Sequence, residues 1–143
     1  MAIEHNPRYM EYFYDPVWES FEDGYWEAIK QRKLKFQRCT ECQTFSHPPR
    51  VLCPDCKGES WEWVESSGKA RVYSWTVVRQ QVHPAFRVPF EVALVEMEDE
   101  EGVRMITNLV DTNPDEVEFD MPVELSFEQV TDEWALPMFK KAK

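Results

Sequence analysis

The sequence predicts a mainly β chain with helices towards its amino-terminal end, a small four-cysteine metal module, and then a closed five-stranded barrel. Three observations carry that expectation. All four cysteines fall within eighteen residues as two C-x2-C pairs. Ahead of them, aromatic residues recur at helical spacing. Behind them, short segments alternate their side chains with the period of two that belongs to strands.

The helical expectation rests on 17–36 (VWESFEDGYWEAIKQRKLKF), where Trp18, Phe21, Tyr25 or Trp26, and Ile29 share one face, with Lys33 on the same repeat. Asp15 reads as the N-cap and Pro16 as the first helical residue, where its missing N–H does no harm. Gly24 reads as a divider between two helices. Upstream, Tyr9, Tyr12, Phe13 and Tyr14 join Trp18 and Phe21 to put six aromatics in thirteen positions. Exposed together, they would form an apolar patch of the kind that marks a partner-binding surface. The competing expectation is that Trp18, Phe21 and Trp26 pack on the barrel of the same chain.

The cysteines read Cys39-Thr-Glu-Cys42, ten residues, then Cys53-Pro-Asp-Cys56. One C-x2-C turn aims two sulfurs at a common point, and two such turns complete a tetrahedron of thiolates around zinc. Four sulfurs leave no open position, so the ion is structural; sulfur ligands also accept iron. Two disulfides would instead suit an exported chain, and a redox C-x-x-C would leave the second pair unexplained. Arg38, Arg50 and Lys57 flank the site and are expected to offset part of its negative charge. His47 lies between the two pairs and reads as a surface or supporting residue. A module this small has little core of its own, so the metal supplies folding energy.

From about residue 67 the chain reads as strands at 70–81 (ARVYSWTVVRQQ), 90–98, 103–110 and 123–130. The acidic stretch 99–102 ends in glycine, as hairpin turns do. Five short strands of this spacing suit a small closed barrel, and the OB fold leads the choice. The three sections are expected at 1–33, 34–66 and 67–143, the last including a C-terminal tail.

A formal charge of −11 repels nucleic acid phosphates and anionic membranes, so neither is an expected partner. No apolar run approaches the ~20 residues that span a bilayer, and the first residues lack a signal pattern. The chain reads as cytoplasmic. It contains no G-x-S-x-G elbow, P-loop or G-x-G-x-x-G. With every cysteine committed to metal, no thiol nucleophile remains, and His5, His47 and His83 stand in no triad pattern. The run Asp99-Glu100-Glu101 reads as a solvated face.

A family resemblance follows from residues spread over 24–130. Tyr25-Trp26-Glu27-Ala28, Phe36-Gln37-Arg38-Cys39, Cys42, His47-Pro48-Pro49-Arg50, Cys53-Pro54-Asp55-Cys56 and Trp61 belong to its amino-terminal signature. Ser67-Gly68-Lys69-Ala70, Val72-Tyr73-Ser74-Trp75-Thr76-Val77-Val78, Pro89-Phe90-Glu91-Val92-Ala93-Leu94-Val95 and Val123-Glu124-Leu125 continue it. The chain resembles the acyl-CoA-associated zinc-ribbon/OB-fold proteins, family thirty-five of the domains of unknown function. Two departures stand out: Gln43 replaces a glycine common after the second cysteine, which would alter that turn, and the aromatic segment before Gly24 is longer.

That resemblance implies a rubredoxin-like zinc ribbon followed by a five-stranded OB-fold barrel. It also implies a small, non-catalytic partner of a thiolase-fold enzyme (acyltransferase, synthase or aldolase), joined to it as a hetero-oligomer. The chain would then stabilise the larger subunit and help bind or channel an acyl-CoA thioester. The loop 79–90 is the expected CoA-facing part, with Arg79, Gln80, His83, Phe86 and Arg87 offering phosphate charge, an amide and a ring for adenine. A second expectation is an OB-fold oligonucleotide-binding module that stacks bases on Tyr73, Trp75 and Phe86. A third is an acyl-transferring enzyme with His83 as base.

Overall fold

The computed structural model describes residues 15–84 and 86–143. Tyr9, Tyr12, Phe13 and Tyr14, with the interface expected of them, lie outside the described residues.

Helical structure begins later than Pro16. A 3-10 turn, Ser20–Glu22, leads directly into helix α1, Asp23–Lys30. The start is set by Glu19 and Glu22: the Glu22 carboxylate accepts the Glu19 N–H at 2.9 Å, leaving Asp15 without a capping role. Trp18 drops out of the helical repeat because its ring packs elsewhere. It stacks on Trp26 with centroids 5.9 Å apart, and Trp134, near the carboxyl end of the chain, meets both rings edge-on at 6.1 Å. The Lys30 ammonium lies 5.4 Å and 5.2 Å from the Trp18 and Trp134 rings. Arg32 donates to Gln129 Oε1 and to the Glu133 carbonyl. Trp18 and Trp26 are therefore fastened to the same chain, as the competing expectation had it, while Phe21 stays 37% exposed. Gly24 does not divide the helix. It sits inside α1 under the Trp63 indole, where a Cβ would come within 2.2 Å of the ring.

Helix α1 buries Tyr25, Ala28 and Ile29, spaced three and four apart. A three-stranded antiparallel sheet follows, from β1 (Lys35–Cys39), β2 (Phe45–Ser46) and β3 (Trp61–Glu65), in the order β2-β1-β3. The remaining strands are β4 (Lys69–Val78), β5 (Phe90–Met97), β6 (Arg104–Val110), β7 (Pro122–Gln129) and β8 (Ala135–Lys141). They close a barrel in the order β4-β5-β6-β8-β7. A zinc ribbon followed by a five-stranded OB barrel is thus the architecture, with one short helix ahead of it among the described residues.

Two details depart from the sequence pattern. Strand β4 carries a bulge between Val72 and Ser74, so the inward face passes from Val72 to Trp75 and Val77. Strand β8 occupies what reads as a tail, paired antiparallel to β7 and parallel to β6. One contiguous core joins Tyr25, Ile29, Leu34 and Phe36 to barrel residues such as Val72, Val95, Val123 and Phe139. The helix and the first ribbon strand therefore share the barrel's core. No helix among the described residues is long and apolar enough to cross a membrane.

Candidate functional site

Strand β1 delivers Cys39 to the first knuckle, and the two knuckles repeat one backbone design. The Gln43 N–H bonds the Cys39 carbonyl at 2.9 Å and the Cys39 N–H bonds the Thr44 carbonyl at 2.9 Å. In the second knuckle Lys57 bonds Cys53 at 3.0 Å, and Cys53 bonds Gly58 at 2.8 Å. Gln43 and Lys57 both sit in the left-handed region, at φ 66° and 64°. Gln43 thus takes the conformation a glycine would take, and the expected change in that turn does not occur. Its side-chain amide donates to the Thr40 carbonyl at 3.2 Å.

The four sulfurs lie within 4.8 Å of one another, with Cys39–Cys56 and Cys42–Cys53 each at 3.6 Å. A tetrahedron with Zn–S bonds of ~2.3 Å has sulfur–sulfur edges of ~3.8 Å, so the donor set fits zinc. Four thiolates this close repel one another strongly unless a cation lies between them. Cys39, Cys42, Cys53 and Cys56 would hold that ion, and no position would remain for water or substrate.

The charged groups around the site have partners of their own. Arg38 is engaged by Glu62 at 2.6 Å and lies over the Phe45 ring, and the Lys57 ammonium donates to the Pro54 carbonyl at 2.8 Å. Carboxylates also stand by the sulfurs. Glu41 Oε2 is 3.9 Å from Cys56 Sγ, and Asp55 accepts the Thr44 hydroxyl at 2.8 Å, 3.2 Å from Cys42 Sγ. The signal was present in sequence, since each pair carries an acid just before its second cysteine. Between knuckle one and the β5–β6 turn runs a cleft of about 660 Å³, lined by Cys42, Asp55, Asp99 and Glu101 among others.

His47 is half-buried against two aromatic rings. Its ring lies between Tyr25 and Phe36, with centroids at 5.3 Å and 5.1 Å, and burial pushes its pKa down to about 4. The neutral ring fills the junction of α1 and β1. Buried Gln37, unremarked in the sequence, ties the inter-knuckle loop to β1 through a paired bond: Gln37 Nε2 to the Arg50 carbonyl, and the Arg50 N–H to Gln37 Oε1. Glu100 is 2% exposed, contrary to the solvated face expected of its acidic run.

The loop between β4 and β5 brings some of its expected residues together. His83 and Phe86 meet edge-on at 5.9 Å, Phe86 contacts Phe90 at 5.8 Å, and Gln81 donates to the Phe86 carbonyl. Arg79 points instead to Asp115, at 3.5 Å, while Gln80 and Arg87 are exposed. The proposed base-stacking aromatics are dispersed. Trp75 packs on the core and against Phe119, and Tyr73 lies beneath the Arg104 guanidinium at 3.8 Å.

Residues 26–62 match the family model described as the ChsH2 rubredoxin-like zinc ribbon domain, and 63–128 match the ChsH2 C-terminal OB-fold domain. A DUF35 domain-containing scaffold protein of Methanothermobacter thermautotrophicus is 34% identical over 111 residues, covering 76% of this chain and 82% of that protein. The chain belongs to the DUF35 family. Among solved structures, the "Ltp2-ChsH2(DUF35) aldolase" contains a chain 43% identical to this DUF35 protein, with a TM-score of 0.83 over 90% of this chain and 100% of that one. A "probable enoyl-CoA hydratase alpha subunit" of Thermomonospora curvata is 45% identical over 122 residues. The match takes in 85% of this chain and 38% of that relative, so the DUF35 chain spans little more than a third of its length.

Proposed function

We propose that this DUF35 chain is the non-catalytic subunit of a thiolase-type complex acting on an acyl-CoA, stabilising the larger subunit and helping to bind or channel the thioester. The observation that carries this reading is the 43% identity to the whole ChsH2(DUF35) chain of an aldolase named jointly for Ltp2 and ChsH2. The T. curvata relative, named as a subunit of an enoyl-CoA hydratase, supports the substrate class. The residues agree in kind. All four cysteines converge on the metal site, so in this reading the nucleophilic thiol belongs to the partner.

Within the loop, Arg79, Gln80, His83, Phe86 and Arg87 are the residues proposed to meet CoA. Guanidinium groups grip phosphate through charge-assisted bonds, and a half-exposed ring gives adenine a face. The Arg79–Asp115 pair is exposed on both sides, so it holds Arg79 weakly and a phosphate can displace it. Phe86 rests on Phe90 and remains 43% exposed.

Two measurements test the reading separately. Purification from the native organism should recover a thiolase-fold chain with this one; recovery without any such chain overturns the subunit assignment. In the reconstituted complex, Arg79→Ala with Arg87→Ala should raise KM for acyl-CoA about tenfold or more while kcat changes little, as loss of charged hydrogen bonds to phosphate requires. An unchanged KM removes the loop from the CoA site and leaves the subunit role standing.

A further inference from the structure

We propose that the exposed edge of the cysteine site is a peroxide-sensitive modification site, in which Cys42 is oxidised first and closes a disulfide onto Cys53. The four sulfurs are not equivalent. Cys39 and Cys53 are 0% exposed, whereas Cys42 and Cys56 reach the surface. Each exposed sulfur receives the backbone N–H two residues on, Thr44 for Cys42 and Gly58 for Cys56 at 3.4 Å, and Cys56 also has the Glu41 carboxylate 3.9 Å away. Cys42 instead borders the open cleft of about 660 Å³. Thr44 Oγ1, 3.2 Å from the Cys42 sulfur, is turned towards the Asp55 carboxylate at 2.8 Å.

The cleft also selects the oxidant. Asp55, Asp99 and Glu101 line it, and no Lys or Arg is among its lining residues. An anionic disulfide such as oxidised glutathione is repelled by that field, while a small neutral hydroperoxide is not. In the reaction, Cys42 Sγ attacks one peroxide oxygen and the O–O bond breaks. The leaving hydroxide takes a solvent proton and departs as water, and Cys42 is left as a sulfenic acid. Cys53 Sγ, 3.6 Å away, then attacks the Cys42 sulfur, forming the S–S bond and expelling hydroxide, which leaves as a second water. Two thiolates have lost two electrons and one peroxide has gained them. Cys39 and Cys56 alone no longer close a four-sulfur site, so the knuckles come apart until a thiol reductant restores them.

The test uses the full, zinc-loaded wild-type chain, so no variant's folding enters the main result. Hydrogen peroxide is added while released zinc is followed with a chromophoric chelator, and cysteine pairing is mapped by peptide mass. The expected result is a Cys42–Cys53 disulfide formed in step with zinc release, both reversed by dithiothreitol. Oxidised glutathione should act at least about tenfold more slowly, and Asp99→Asn with Glu101→Gln should narrow that gap. Zinc retained with four unmodified cysteines under excess peroxide overturns the proposal. So does a sulfenic acid trapped first at Cys56, a Cys39–Cys56 disulfide as the first product, or oxidised glutathione acting as fast as peroxide.

Discussion

Glu91 and Glu100 are carboxyl groups held away from water inside a strongly acidic chain. Each is nearly fully buried and has one carboxyl oxygen without a partner. Burial raises the pKa of both above the ordinary carboxylate value of 4.5. A raised acid stabilises the fold fully below its unfolded pKa, and that contribution is lost as pH rises through the folded one. Glu91→Gln, which keeps the shape without the ionisation, should therefore raise stability near pH 7.5, with the gain shrinking towards pH 4. Urea unfolding at both pH values checks this; a variant equally destabilised at both would mean that the carboxyl makes a specific bond. At this scale the cysteines were fully legible, because their geometry is encoded in local spacing. Glu100 was not. Asp99, Glu100 and Glu101 are indistinguishable in sequence, and only the closure of the β5–β6 turn, with the Val103 N–H on the Glu100 carbonyl, decides which one turns inward. His47 was equally hidden, since its packing partners Tyr25 and Phe36 lie on two other elements.

Helix α1 meets the ribbon where Gly24 lies under the Trp63 indole, and that contact makes a sharp comparison between two glycines. A Cβ at Gly24 would stand 2.2 Å from a large aromatic ring, so Gly24→Ala must displace Trp63 or the helix. Overpacking of this kind costs about 1–3 kcal/mol. At Gly58 the closest obstruction is the end of the flexible Glu41 side chain, which can swing away and leave a 3.3 Å contact with the Cys56 sulfur, so Gly58→Ala should cost about 1 kcal/mol or less. Thermal melting of the zinc-loaded variants tests the ranking, and equal losses would contradict it. The strands were legible where alternation was clean, as in β5, whose burial alternates residue by residue. The pattern misled where a side chain had a better place to go. Trp18 left its helical face for Trp134, and the bulge at Tyr73 shifted the inward side of β4. Strand β8 escaped location because Pro137 and the pair Lys140 and Lys141 break any simple alternation. The fifth strand was implied by the need to close a barrel, and its own residues gave no sign of it.

Across the whole molecule, the shared core sets what metal removal does. Leu34 and Phe36 flank or belong to the first ribbon strand, yet both are buried with barrel side chains. The sequence suggested a ribbon held together by its ion alone; the structure gives β1 a second anchor. Stripping zinc with a chelator should therefore expose the amides of 39–44 and 53–58 to rapid hydrogen exchange while β1 and the barrel strands keep much of their protection. Loss of protection throughout in one transition would show that the ion carries the entire fold. The place of β8 has a different consequence, for the chain as it is being made. β8 follows β7 in sequence but lies between β6 and β7 in the barrel. Until β8 is made, β6 has only β5 to pair with and β7 only β4, so each is left with one bare edge. Helix α1 is synthesised long before, yet the core that receives Tyr25 and Ile29 also needs Phe139 of β8. A helix made early must wait for a strand made late, and over that interval the unfinished barrel exposes apolar surface of the kind that holding chaperones bind.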